Sequence, residues 1–171
     1  MSTRINRQHG FTLLETLIYA VGLILLLGAI FGLLTYTYNW YRSATIGSHV
    51  DAVGMGVTDH IVRSIRSGQS SNASGSSFGT TTGALSITAY VNSATIIKQY
   101  GLSGGRITYK ENSGTTQYLT PVDVYVTKLY FNDIVTGISE GVRFTIDISY
   151  WNKTSTSTRT YTSVGVMRNS Y

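Results

Sequence analysis

From Thr16 to Tyr41 the chain carries no charged residue. Roughly 20 apolar residues, at about 1.5 Å rise each, cross a hydrocarbon core of about 30 Å. The run predicts a membrane-spanning helix. Tyr36, Tyr38, Trp40 and Tyr41, followed by Arg42, make an interfacial belt at its far end. Beyond Arg42 the pattern becomes one-sided. Ile46, Val50, Val53, Val57, Ile61 and Ile65 form one apolar stripe, and Asp51, Asp59, Arg63 and Arg66 lie off it. Asp59 stands four positions before Arg63, the favourable order for a surface pair. No proline interrupts the two halves, so one helix of about 55 residues, roughly 80 Å, is expected. Gly47, Gly54 and Gly56 weaken its second half in isolation, so that half must be held by packing, most simply on a sheet.

Residues 68–83 read as a flexible Ser/Gly-rich linker. From Ala84 the period is two. Leu85, Ile87, Ala89 and Val91 alternate with polar residues. Strands follow at Thr95–Tyr100 and Arg106–Lys110, with turns at Ser103-Gly104-Gly105 and Asn112-Ser113-Gly114. Tyr118-Leu119 is a short strand ended by Pro121. Asp123 to Asn132 is a longer one, whose phase slips by one residue near Thr127-Lys128 and so predicts a bulge. Val142, Phe144, Ile146, Ile148 and Tyr150 alternate cleanly and should pair as a hairpin with the return strand Thr158–Met167. The fold class expected is α+β, with a long N-terminal helix packed on a C-terminal antiparallel β-sheet. The organisation expected is a leader at 1–10, a transmembrane helix half at 11–41, an amphipathic half at 42–67, the linker at 68–83 and the β domain at 84–171.

Glu15 stands out at the front of the apolar run. An ionised carboxylate there costs at least a few kcal/mol if left unpaired in lipid. It belongs to the run Gly10-Phe11-Thr12-Leu13-Leu14-Glu15, which follows the basic residues Arg4 and Arg7. This run, between a short basic leader and an apolar helix, resembles the class III signal of type IV pilins and type II secretion pseudopilins. The resemblance implies cleavage between Gly10 and Phe11 by a prepilin peptidase, N-methylation of Phe11, and a role for Glu15 in assembly. It also implies other pilin or pseudopilin subunits and an inner-membrane assembly platform as partners. The layout that follows resembles J-type pseudopilins and W-type minor pilins. Many type IV pilins have proline at the position of Gly32, where this chain departs from the pattern. Gly22, Gly28 and Gly32 are then read as points of close helix packing, with local loosening of the helix as the alternative.

Charge and composition narrow the chemistry. Arg4 and Arg7 account for two of the five net positive charges, so a chain starting at Phe11 is nearer +3. A balance so weakly basic gives little reason to expect a nucleic-acid partner. The basic leader instead predicts a cytoplasmic N-terminus and an exported C-terminal domain on a single-pass helix. The pilin resemblance implies that the membrane is the inner one and that the chain later enters a filament. There is no cysteine, hence no disulfide and no thiolate metal site. His9, His49 and His60 are not spaced as metal ligands, and neither metal nor cofactor is expected. Asp123, Asp133, Glu140 and Asp147 alternate with apolar strand positions and read as a solvated face. No Gly-x-Ser-x-Gly elbow occurs, and Gly101–Gly105 lacks the lysine of a phosphate loop. An enzyme is not expected. A structural filament subunit is, with a non-polymerising membrane-anchored adhesin or binding domain as the alternative.

Overall fold

The structure is a computed structural model and describes residues 12–71, 74–91, 94–136, 139–152 and 155–168. Its elements are α1 (Leu13–Ser67), β1 (Gly68–Ser71), β2 (Leu85–Val91), β3 (Ala94–Ser103), β4 (Arg106–Glu111), β5 (Gln117–Tyr118), β6 (Val124–Thr136), β7 (Ser139–Asn152) and β8 (Ser155–Val166). The fold class is α+β, as the two periodicities require. Helix α1 has 55 residues. The chain divides into two compact units, Met1–Ser43 and Ala44–Tyr171.

Within the second unit the strands form two antiparallel sheets, not the single one expected. One has the order β1-β2-β3-β4-β5 and the other β6-β7-β8. The expected stripe on α1 is the face that meets them. Ile46, Val50, Val57, Ile61 and Ile65 are buried, with Val53 at the margin. They share one core with Leu85, Ile87, Tyr100 and Ile107 of the first sheet and with Val126, Leu129, Phe131, Phe144, Ile146 and Ile148 of the second. Each fully buried Ile, Leu or Phe contributes about 1.5–3 kcal/mol by leaving water.

Two glycines explain how closely α1 lies to β8. A Cβ on Gly54 would collide with the Tyr161 ring, and one on Gly165 would collide with the Ile65 side chain. Each glycine is thus a socket for a large side chain on the other element. The Tyr161 hydroxyl completes the contact by donating to Asp51 Oδ1 at 2.7 Å. Burial, and then that bond to Asp51, push its pKa up to about 12.

The expected bulge is present, since the β6–β7 register shifts between Val126 and Lys128. The extra residue lets Val124 and Val126 share the core face with Leu129 and Phe131 despite the odd spacing. The hairpin of β7 with β8 runs unbroken from Gly141↔Val166 to Asn152↔Ser155. Gly104 and Gly105 both have positive φ (58° and 73°), which fits the two-residue turn between β3 and β4.

Part of the stretch expected to be a linker is ordered by pairing. Gly68–Ser71 is β1, bonded to β2. Further on, Gly79 N–H donates to Phe131 O at 2.9 Å, Gly83 N–H donates to Leu129 O at 2.7 Å, and Leu129 N–H donates to Thr81 O at 2.9 Å. These residues satisfy the outer edge of β6 at Leu129 and Phe131, where backbone groups need partners. Asp133 is also corrected. It stands opposite Val142 on the core side, and its Oδ1 is buried with no hydrogen-bond partner among the described residues. Asp147 does face outward, accepting from the Thr160 hydroxyl at 2.7 Å.

Candidate anchor and assembly segment

Thr12 precedes the helix and caps it. Glu15 N–H donates to Thr12 O at 3.0 Å and lies 3.3 Å from Thr12 Oγ1. Thr12-x-x-Glu15 is the sequence of a capping box, a signal present in the chain but passed over above. Glu15 thereby occupies the first turn of α1, where the helix dipole favours a negative charge. Among the described residues no cation reaches its carboxylate. Gly10 and Phe11, the expected processing residues, lie outside the described residues.

Beyond Glu15 the surface is apolar on every side. Leu17, Ile18, Leu23, Ile24, Leu26, Phe31 and Leu34 are among the many large side chains left exposed. A water-soluble surface rarely carries so wide an apolar patch. Gly22, Gly28 and Gly32 have nothing within 4 Å of where a Cβ would stand. Among the described residues one helix, α1, is long and apolar enough to cross a membrane.

In the second unit two histidines join α1 to strands, a use the sequence reading missed. His49 Nε2 lies 3.0 Å from Asp123 Oδ2, and its ring meets Tyr150 edge-on. These residues, with Thr45 and Ile46, line a cavity of about 220 Å³. His60 packs edge-on against the rings of Tyr100 and Tyr109, at centroid distances of 5.8 and 5.0 Å. Tyr100 Oη donates to Ser64 Oγ at 2.5 Å and lies 3.0 Å from His60 Nδ1. Tyr109 donates to Glu111 at 2.8 Å. Only 5% of Ser64 is exposed, so this hydroxyl serves packing of the helix on the sheet and is not open to a substrate. Spacing alone does not reveal such a cluster, because its members come from α1, β3 and β4.

Burial lowers the His60 pKa, helped by the nearby Lys98, while Asp59 opposes the shift. The sign of the pH effect follows. Between the lowered folded value and the ordinary value near 6.5, the unfolded chain binds more protons at this site. Stability is therefore expected to fall as pH drops below about 6.5 and to level off below the folded pKa. Thermal melts of parent and His60→Gln between pH 4.5 and 8 check this. The parent should lose more on acidification than the variant.

Among the described residues no three His, Cys, Asp or Glu side chains are grouped to hold a metal ion. The arrangement defines an α+β protein with an apolar N-terminal helix and an antiparallel β domain, a layout compatible with that of a pilin. No family model matches this chain, and no curated protein or solved structure matches it.

Proposed function

We propose that this protein is a minor pilin or pseudopilin, a structural subunit of a type IV pilus-like filament. The observation that carries the reading is a coincidence of signals at one place. Gly10-Phe11-Thr12-Leu13-Leu14-Glu15 stands where α1 begins, after a basic leader and before an exposed apolar run. A membrane anchor alone accounts for the apolar run, but not for the Gly10-Phe11 junction after a basic leader with Glu15 in register behind it. In this reading the chain enters the inner membrane through residues 11–41, with residues 42–171 exported. A prepilin peptidase removes residues 1–10, Phe11 is N-methylated, and the mature chain joins other pilin subunits through its N-terminal half. The β domain has a structural and not a catalytic role.

Intact-mass measurement of the protein from its native membrane tests the reading. The expected mature chain begins at Phe11 and carries one added methyl group. A Gly10→Leu variant should keep residues 1–10. A mature chain that retains Arg4, or normal processing of Gly10→Leu, overturns the proposal.

A further inference from the structure

One strand glycine has no reason in the fold itself. Gly104 and Gly105 have positive φ, and Gly54 and Gly165 receive large side chains, but Gly101 does neither. It lies inside β3, and the β3–β4 register runs unbroken past it from Lys98↔Glu111 to Ser103↔Arg106. A Cβ there would meet only Thr108 Oγ1, at 3.5 Å, an ordinary contact. Glycine inside a strand costs conformational entropy. Where neither a bulge nor a collision calls for it, it marks a place where something approaches the backbone closely.

Strands β3 and β4 turn Tyr100, Ile107 and Tyr109 toward the core. Side chains alternate along a strand, so Gln99, Arg106, Thr108 and Lys110 take the other face, where Gly101 has none. On that face a cavity of about 290 Å³ is lined by Gln99, Gly101, Thr108, Lys110 and Thr116. Its chemistry is polar and cationic. Lys110 makes no ion pair among the described residues. Arg106 adds a second positive charge to the face, with Nε donating to Thr120 O at 2.9 Å and the guanidinium 4.1 Å over the Tyr118 ring. No acid stands at the outward positions of β2, β3 or β4. Glu111 turns to the opposite face, where it accepts from Tyr109 at 2.8 Å. A face of this sign favours an anion. Gln99 brings an amide that donates and accepts. The Thr108 hydroxyl donates to Gly101 O at 3.1 Å and keeps its lone pairs for a further donor.

We propose that this cavity binds one carboxylate-bearing sugar unit, of the uronic acid class. Lys110 meets the carboxylate, Gln99 and the two threonine hydroxyls meet ring hydroxyls, and the ring lies against the bare backbone of Gly101. The volume stands at the low end of the range for small-molecule sites, about 300–1,000 Å³, which suits one ring and not an extended chain. Neutral hydrogen-bonding groups around one free cation match a ligand with several hydroxyls and a single acid. The site lies within Ala44–Tyr171 and uses no residue of 11–41, so it stands or falls apart from the filament reading.

The test follows backbone amide NMR shifts of the full chain in detergent, with methyl glucuronide as probe. Saturable shifts are expected at Gln99, Gly101, Thr108 and Lys110. Methyl glucoside, which lacks the carboxylate, should bind about tenfold more weakly or worse. Lys110→Gln should remove that preference. Gly101→Ala should melt at or above the parental temperature, because alanine costs less entropy in a strand and its Cβ has room. The same variant should bind the probe about tenfold more weakly or worse, because the Cβ takes the space of the ring. Absence of saturable shifts, equal affinity for the two sugars, or a preference that survives Lys110→Gln overturns the proposal. So does a Gly101→Ala chain that melts well below the parent, since the glycine would then serve the fold, or one that binds as the parent does. Inorganic phosphate binding as tightly as the glucuronide overturns the sugar in favour of a simple anion site. Tighter binding of a thymidine oligonucleotide at the same amides overturns it in favour of nucleic acid.

Discussion

Replacing Ile61 with Asp is expected to unfold the Ala44–Tyr171 unit. Ile61 is a fully buried member of the α1 stripe, in the core that α1 shares with both sheets. The substitution removes about 1.5–3 kcal/mol of apolar burial. It also leaves a carboxylate without a partner, at a cost of several kcal/mol more. Domains of this size are stable by only about 5–15 kcal/mol, so the sum is comparable with the whole. Met55→Asp is the control, since Met55 lies on the same helix and is 64% exposed. Circular dichroism melts should show no cooperative transition for Ile61→Asp and a nearly parental one for Met55→Asp. A parental melt for Ile61→Asp would mean that this stripe is not the docking face.

Glu15→Ala should leave the folded domain untouched and abolish recovery in sheared filaments. The cap on the first turn stays in place, because the backbone N–H of residue 15 still donates to Thr12 Oγ1. What is lost is the carboxylate. In lipid that group is costly unless a cation meets it, and cleavage after Gly10 would free an amine at Phe11. In the proposed filament, an amine on a neighbouring subunit would meet it across staggered helices, so that the charges of successive subunits would satisfy one another. The variant should insert, lose its leader and fold, as followed by membrane fractionation, intact mass and protease resistance. Entry into filaments at the parental level sinks the pairing idea. Loss from the membrane fraction would assign Glu15 to insertion or stability instead.

Much of the fold was legible because it depends on short-range periodicity. The uncharged run from Thr16 to Tyr41 and the stripe from Ile46 to Ile65 needed only the helical repeat. The one-residue slip near Thr127 was visible because a strand cannot keep one face buried across an odd step. The β7–β8 hairpin showed through its strict alternation. Glu15 was legible as well, since it breaks an otherwise apolar pattern. The cap at Thr12 was equally readable in the spacing Thr12-x-x-Glu15.

Other features depend on which distant residues meet. Gly54 reads as a weak point in a helix until the Tyr161 ring, more than 100 positions away, is seen lying against it. His60, Ser64, Tyr100 and Tyr109 look unrelated in the chain because their contact is made between a helix and two strands. Gly68–Ser71 carries no strand signature. It becomes β1 because β2 offers it an edge, and backbone groups taken from water need partners. The sequence by itself determined most of the elements, most of their buried faces and the long apolar run, since these follow from local repeat and composition. Only the tertiary structure decided that the strands divide into two sheets and that the segment after β1 covers β6 at Leu129 and Phe131. Those outcomes turn on where backbone hydrogen bonds find partners across the fold, and side-chain patterns do not encode that.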